Sequence, residues 1–246
     1  MTDERPIMLL TGASRGIGHA TVKLFQKNGW RILTVSRQPF SADCAWPEAR
    51  ENHIQADLSE TDQISALARE VRSLLSHGKL HALVNNAGIS PKGPEGTRMG
   101  LMETDVEVWA HVMNVNLVST ALLARELLPE LERGRGSIVN VTSIAGSRVH
   151  PFAGVAYAAS KAALAALTRE MAHELGSRGV RTNAIAPGEI ETAILSPGTE
   201  DLIASEVPMG RLGDPSEVAE TIYFLCTEAS SYINGAEIHI SGGQHV

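Results

Sequence analysis

Cysteine is almost absent. The two residues, Cys44 and Cys226, lie far apart and belong to no CxxC or Cys/His array. That excludes a disulfide framework or a zinc cluster as the basis of the fold, predicts no metal at the functional site and suits a reducing, cytoplasmic setting. Long hydrophobic runs are missing as well: no stretch is expected to reach the roughly 18–20 apolar residues that span a bilayer. The charged start, Met1 to Pro6, passes at once into Ile7-Met8-Leu9-Leu10 and a glycine turn, which is not the layout of a signal peptide. Massed positive charge is lacking too. The net charge is −7 and the Lys and Arg residues are scattered, so a nucleic-acid footprint is not expected and the acidic balance reads as solvated surface. No repeat, low-complexity tract or linker divides the chain. Its 246 residues fit one large α/β domain covering 1–246, big enough to bury a core without covalent staples.

What is present is an alternation. Short apolar runs at 7–10, 31–35, 80–85, 137–141, 180–185 and 237–240 read as strands. Between them, 17–28, 64–75, 106–131, 157–175 and 216–225 carry apolar residues at helical spacing. Strands separated by helices imply right-handed crossovers and a parallel sheet covered on both faces, a doubly wound Rossmann-type α/β domain. The sequon Asn140-Val141-Thr142 falls in a strand-like run and is not read as a glycan site. Two segments rich in Gly and Pro, 89–103 and 190–214, follow strand ends, where open α/β sheets bind ligands, and are candidate walls of a substrate pocket.

Thr11-Gly12-Ala13-Ser14-Arg15-Gly16-Ile17-Gly18 joins the first strand to the first helix. Glycines there permit a tight turn and let backbone N–H groups and the helix N-terminus approach a pyrophosphate. The spacing, Gly-x3-Gly-x-Gly, differs from the usual dinucleotide fingerprint, and such a turn is weak evidence alone. The end of the second strand is where a dinucleotide fold reads the adenosine ribose, with a carboxylate for NAD and a basic group for the 2′-phosphate of NADP. This chain has Ser36-Arg37 there, and Arg15 lies in the nearby turn. Two guanidiniums match a dianionic phosphate, so NADP(H) is preferred over NAD(H).

Tyr157 and Lys161 stand four apart in Tyr157-Ala158-Ala159-Ser160-Lys161, on one face of a helix. A free phenol titrates near 10. A neighbouring ammonium is expected to lower that value, as a general acid for a carbonyl oxygen requires. Tyr-x3-Lys alone is common by chance. Around it, Ser143 ends a strand and is placed to bond a substrate oxygen. Leu83-Val84-Asn85-Asn86-Ala87-Gly88 ends another strand with small and polar residues. Pro187-Gly188-Glu189-Ile190-Glu191-Thr192 follows a third and is placed at the carboxamide end of a nicotinamide.

In order and spacing these motifs resemble the short-chain dehydrogenase/reductase family, over about 7–243. The resemblance implies a seven-stranded sheet and a catalytic tetrad of Asn116, Ser143, Tyr157 and Lys161. Tyr157 would be acid/base, Ser143 would polarise the carbonyl, Lys161 would bind the nicotinamide ribose, and Asn116 would hold a relay water. It also implies a cofactor site of Gly12, Ser14, Arg15, Gly16, Ile17, Gly18, Arg37, Asp57, Leu58, Asn86, Ala87, Gly88, Tyr157, Lys161, Pro187, Gly188, Ile190 and Thr192, with Asp57 at the adenine. Asn114 competes with Asn116 for the helix position; two residues apart, they face different ways, and Asn116 fits the family place. Ser241-Gly242-Gly243 departs from the Asp-Gly-Gly of many relatives. Homotetramers packed through 106–131 and 157–175 are the family expectation.

Hydride exchange between a carbonyl and a secondary alcohol is the expected activity. The chain also resembles bacterial 3-oxoacyl-carrier-protein reductases, through Pro208-Met209-Gly210-Arg211-Leu212-Gly213 and Ser177-Arg178-Gly179, so a carrier-bound substrate is an alternative. Arg178, with Arg133 or Arg135, could then receive the acidic carrier. A non-catalytic NADP-binding regulator is a further alternative, disfavoured because Tyr157 and Lys161 are both present. The segment Val149, His150, Pro151 and Phe152 predicts a partly apolar pocket wall with one titratable group.

Overall fold

The computed structural model describes residues 4–39, 48–191 and 199–246. Its strands are β1 Ile7–Thr11, β2 Arg31–Ser36, β3 His53–Gln55, β4 Ala82–Asn85, β5 Ser137–Val141, β6 Arg181–Pro187 and β7 Glu237–Ile240. All seven pair in parallel in the order β3-β2-β1-β4-β5-β6-β7. β1, β4 and β5 are buried at every position, because helices cover both faces. Strand β3, only three residues long, has too little sequence to show periodicity; its pairing with β2 from Thr34–His53 to Ser36–Gln55 is what defines it.

The helices are α1 Gly16–Lys27, α2 Ile64–Leu74, α3 Val106–Met113, α4 Ser119–Glu126, α5 Leu128–Gly134, α6 Val155–Gly176, α7 Thr199–Glu206 and α8 Pro215–Cys226. They divide the core in two. On one face α2, α4, α5 and α6 contribute Leu67, Val71, Leu123, Leu131 and Leu175 to a cluster with Leu9, Leu33 and Leu83 of the sheet. On the other, α1 and α8 cover Met8, Leu10, Val84 and Val139 with Val22, Phe25, Val218 and Ile222. Phe25 meets Trp30 and Tyr223 edge-on, with ring centroids 5.0 and 5.1 Å apart.

The expected single helix over 106–131 is corrected to three segments. A π turn, Asn114–Val118, separates α3 from α4, and the chain bends again at Leu127 before α5. The expectation that no run is long and apolar enough for a membrane is corrected as well. Val106–Glu126 is 21 residues long and contains an 18-residue window of mean hydropathy 1.2, a third of it buried in the domain. The π turn widens it without ending it, and it packs beside α2 and α6. The 190–214 segment is not loop throughout, since α7 lies within it and 192–198 lie outside the described residues.

Polar residues inside the sheet are linked. Asn85 Nδ2 donates to Asn140 Oδ1 (2.9 Å), Asn140 Nδ2 to Thr168 Oγ1 (2.9 Å), and Thr168 Oγ1 to the Leu164 carbonyl (2.8 Å). This chain ties β4 to β5 and β5 to α6 with every side-chain donor it shows engaged.

Candidate active site

The strand order reverses between β1 and β4, and the crevice beyond their carboxyl ends is where a doubly wound sheet takes a ligand. The glycine turn after β1 forms one lip. Gly12 and Gly16 have positive φ, at 74° and 53°. A Cβ on Gly18 would lie 2.1 Å from the Gly12 carbonyl oxygen, so α1 can start against the turn only with glycine there. No side chain caps α1 at Arg15, so the first-turn N–H groups remain available to an anion. Asn86 fixes the turn from the β4 side: its Nδ2 donates to the carbonyls of Thr11 (3.1 Å) and Gly12 (2.7 Å). Thr11 Oγ1 accepts from the N–H groups of Asn86 (3.1 Å) and Ala87 (3.0 Å).

A cavity of about 680 Å3 opens here, lined by Gly12, Ser14, Arg15, Gly16, Ile17, Arg37, Asp57, Leu58, Asn86, Ala87, Gly88 and Tyr157, among others. Asp57 sits at its far end, where its Oδ1 accepts from the Ser59 N–H (2.9 Å) and hydroxyl (2.8 Å). Partial burial pushes the Asp57 carboxyl up, but those two bonds, with Arg37 and His111 nearby, outweigh it and hold the group below the ordinary carboxylate value. The guanidiniums of Arg15 and Arg37 have no hydrogen-bond or ion-pair partner among the described residues.

A second cavity of about 380 Å3 adjoins the first; Ile17, Asn86, Gly88 and Tyr157 line both. Its walls include Ser143, Lys161, Pro187, Gly188 and Ile190, so these predicted residues converge there, while Thr192 lies outside the described residues. Ser143 leaves β5 in an extended conformation, and its Oγ accepts from the Ala145 N–H (3.2 Å). Tyr157, in the first turn of α6, shares this cavity with Ser143, whose hydroxyl favours its ionised form. Lys161, one turn on and 3% exposed, carries its Nζ 5.6 Å from the Tyr157 ring centre and donates to the Val141 carbonyl at 2.7 Å. The i, i+4 spacing thus delivers both groups to one cavity.

The expected electrostatics need correcting. Burial pushes the Tyr157 phenol above its ordinary value and Glu189 adds to the rise, while the Ser143 hydroxyl opposes them. Burial also brings Lys161 down to about 8. Without a cofactor the phenol is therefore held protonated, not made more acidic, because desolvation acts on both partners and dominates. The side chain of Asn116 is tied to its neighbours. At 1% exposure in the π turn, its Oδ1 accepts from the Ile89 N–H (2.8 Å) and its Nδ2 donates to the Ile89 carbonyl (3.0 Å) and Ser160 Oγ (2.9 Å). Both amide hydrogens are used, which leaves a relay water only the second lone pair of Oδ1. Ser160, unread in the sequence, passes the connection to the Tyr157 carbonyl at 2.7 Å. Asn114 faces elsewhere, with its Nδ2 3.3 Å from the Ser59 carbonyl.

Beyond Tyr157 and Lys161, the pocket wall carries three titratable side chains, not one. His150 Nε2 lies 2.7 Å from Glu189 Oε1, and Lys92 Nζ donates to the Phe152 carbonyl at 2.5 Å. All three residues line the smaller cavity, while Val149 is 79% exposed. Glu189 was within reach of sequence reasoning, as a carboxylate following Pro187-Gly188 at a strand end; its pairing with a histidine 39 positions away (189 − 150) had no local signal. Of the surface arginines considered for a carrier, Arg178 pairs with Glu132 and Arg133 with Glu130 (2.6 Å).

Comparison with known proteins agrees with this geometry. The family described as "Enoyl-(Acyl carrier protein) reductase" matches residues 12–245. Protein FixR of Bradyrhizobium diazoefficiens is 55% identical, over 99% of this chain and 88% of its own length. The 3-oxoacyl-[acyl-carrier-protein] reductase FabG of Thermotoga maritima is 36% identical, over 98% of each chain. Among solved structures, an oxidoreductase of the short-chain dehydrogenase/reductase family from Brucella ovis, in complex with a partially ordered NAD, is 59% identical. It superimposes with a TM-score of 0.85, covering 96% of this chain and all of that one. With the sheet order, the glycine turn and the Ser143, Tyr157 and Lys161 cluster in place, the chain belongs to the short-chain dehydrogenase/reductase family.

Proposed function

We propose that the protein is an oxidoreductase that interconverts a carbonyl and a secondary alcohol, preferring NADP(H), with Tyr157 as the acid/base. One observation carries this reading: Tyr157 stands where the two cavities meet, with Ser143 on the same cavity wall and Lys161 beside it. The larger cavity fits a dinucleotide, with glycines where a Cβ would collide, free helix N–H groups for the pyrophosphate and Asp57 for the adenine. When bound, the nicotinamide supplies hydride to the carbonyl carbon or accepts it from the carbinol. Pro187, Gly188 and Ile190 back the space for that ring.

Ser143 orients the substrate oxygen, and Tyr157 gives it a proton. A phenol that burial keeps protonated is already in the donating form, which favours reduction. Lys161, held by the Val141 carbonyl, is fixed to bind the nicotinamide ribose and to stabilise the tyrosinate left behind. Asn116 clasps Ile89 and Ser160, so it positions the loop after β4 against α6.

Arg15 and Arg37, with no carboxylate at the end of β2, support NADP(H) through bidentate bonds to a 2′-phosphate. Residues 1–246 act as one catalytic unit on this reading. The uncovered apolar face of Val106–Glu126 supports packing against a second copy, in keeping with a homotetramer. The cysteine count supports a cytoplasmic setting. A carrier-bound acyl substrate has less support, since Arg178 and Arg133 are already paired.

The test is Tyr157→Phe. Turnover of carbonyl substrates is expected to vanish while NADPH binding, followed by fluorescence titration, stays within a few-fold. Near-normal turnover would reject the reading.

A further inference from the structure

In the smaller cavity the protein has paired a carboxylate with an imidazole. His150 Nδ1 accepts from the Phe152 N–H at 3.3 Å, so Nε2 carries the proton that Glu189 Oε1 accepts at 2.7 Å. The side chains are 10% and 16% exposed, so the pair is nearly out of bulk water, yet both residues line the cavity. Glu189 Oε2 has no hydrogen-bond partner among the described residues. It is an open acceptor on a residue that lines the cavity. Lys92 is on the same wall, where burial disfavours its charged form and the charge of Glu189 works against that. The pair lies close enough to Tyr157 for Glu189 to act on the phenol.

We propose that the substrate is a small neutral hydroxy ketone, or the corresponding diol, whose non-reacting hydroxyl donates to Glu189 while the reacting oxygen faces Tyr157 and Ser143. This rests on the oxidoreductase reading above. An alkyl or acyl chain seated there would strip the carboxylate of water and return nothing, which is costly for a charged group. A hydroxyl supplies a charge-assisted bond. The substrate need not bring an ammonium, because Lys92 already places a cationic side chain on this wall. The cavity of about 380 Å3 also borders the expected nicotinamide site, leaving room for a small molecule. A site built around a substrate hydroxyl discriminates steeply against the analogue that lacks it.

The experiment compares acetoin with butanone, its deoxy counterpart, alongside aminoacetone and an acetoacetyl thioester. NADPH and NADH oxidation is followed for the wild type, Glu189→Gln and Glu189→Leu, with thermal melts to verify folding. The wild type is expected to favour acetoin over butanone in kcat/KM by about tenfold or more, the worth of one hydrogen bond to a charged group. Glu189→Leu should bring that ratio near one, mainly through KM, and Glu189→Gln, which keeps an acceptor, should fall between. An unchanged ratio in Glu189→Leu, or a wild-type preference for butanone or the thioester, overturns this inference and leaves the oxidoreductase standing. A preference for aminoacetone over acetoin overturns the neutral substrate. No turnover of any carbonyl with either dinucleotide overturns both readings together.

Discussion

Replacing Asn116 with alanine removes a clasp on one peptide unit. Its amide bonds both the N–H and the carbonyl of Ile89, at 2.8 and 3.0 Å, and reaches Ser160 Oγ at 2.9 Å. Ser160 keeps its bond to the Tyr157 carbonyl, so the two Ile89 groups are the ones stranded. A buried polar group left unpaired costs about 1–3 kcal/mol. The pair sums to roughly 2–6 kcal/mol, and a water entering the vacated space would recover part of it, leaving about 2–4 kcal/mol. In a domain of this size each kcal/mol moves Tm by about 2–4 °C, so a drop of roughly 4–16 °C is expected. Calorimetry gives Tm, and urea unfolding should show a lower midpoint with an unchanged m value. Asn116→Asp, which keeps the acceptor and loses the donors, should fall between the alanine variant and the wild type. If Asn116→Ala melts within about 2 °C of the wild type, one domain kcal/mol or less is at stake and the clasp is not structural.

Three further outcomes are expected. Lys161 is depressed in the folded protein to about 8 from its ordinary 10.5, so the folded state disfavours the charged form. Below pH 8 that penalty is fully present. Stability should therefore rise between about pH 8 and 10.5, by on the order of 3 kcal/mol relative to Lys161→Met, in urea titrations of the cofactor-free protein; parallel profiles for the two proteins would contradict the burial argument. Arg37→Ala should raise KM for NADPH by about tenfold or more and leave that for NADH nearly unmoved, as expected for a lost charge-assisted phosphate contact; equal changes for both cofactors would count against the phosphate reading. Gly18→Ala places a Cβ 2.1 Å from the Gly12 carbonyl oxygen, so dinucleotide binding by fluorescence titration should be lost, and retained binding would show that the turn can open.

Much of the frame was legible in the residues. Buried parallel strands announce themselves as uninterrupted apolar runs, and the glycine turn shows where the first helix must begin. Tyr157 and Lys161 were legible because four residues make one helical turn. The π turn at Asn114–Val118 was not, since one extra residue in a turn leaves the apolar spacing nearly intact on either side. The direction in which Tyr157 is shifted depends on how much water reaches it, a property of the packed domain and not of the Tyr-x3-Lys spacing. The His150–Glu189 pair, too, depends on two strand-end loops meeting across the crevice.

The polar chain from Asn85 through Asn140 to Thr168 constrains how this molecule can vary. Each side chain uses its donor on the next, so an apolar replacement at any one position strands its neighbour in the core. A mutational library that samples these sites singly would record them as immutable. One that samples them together should recover an all-apolar solution, reached only by passing through variants less stable than either end.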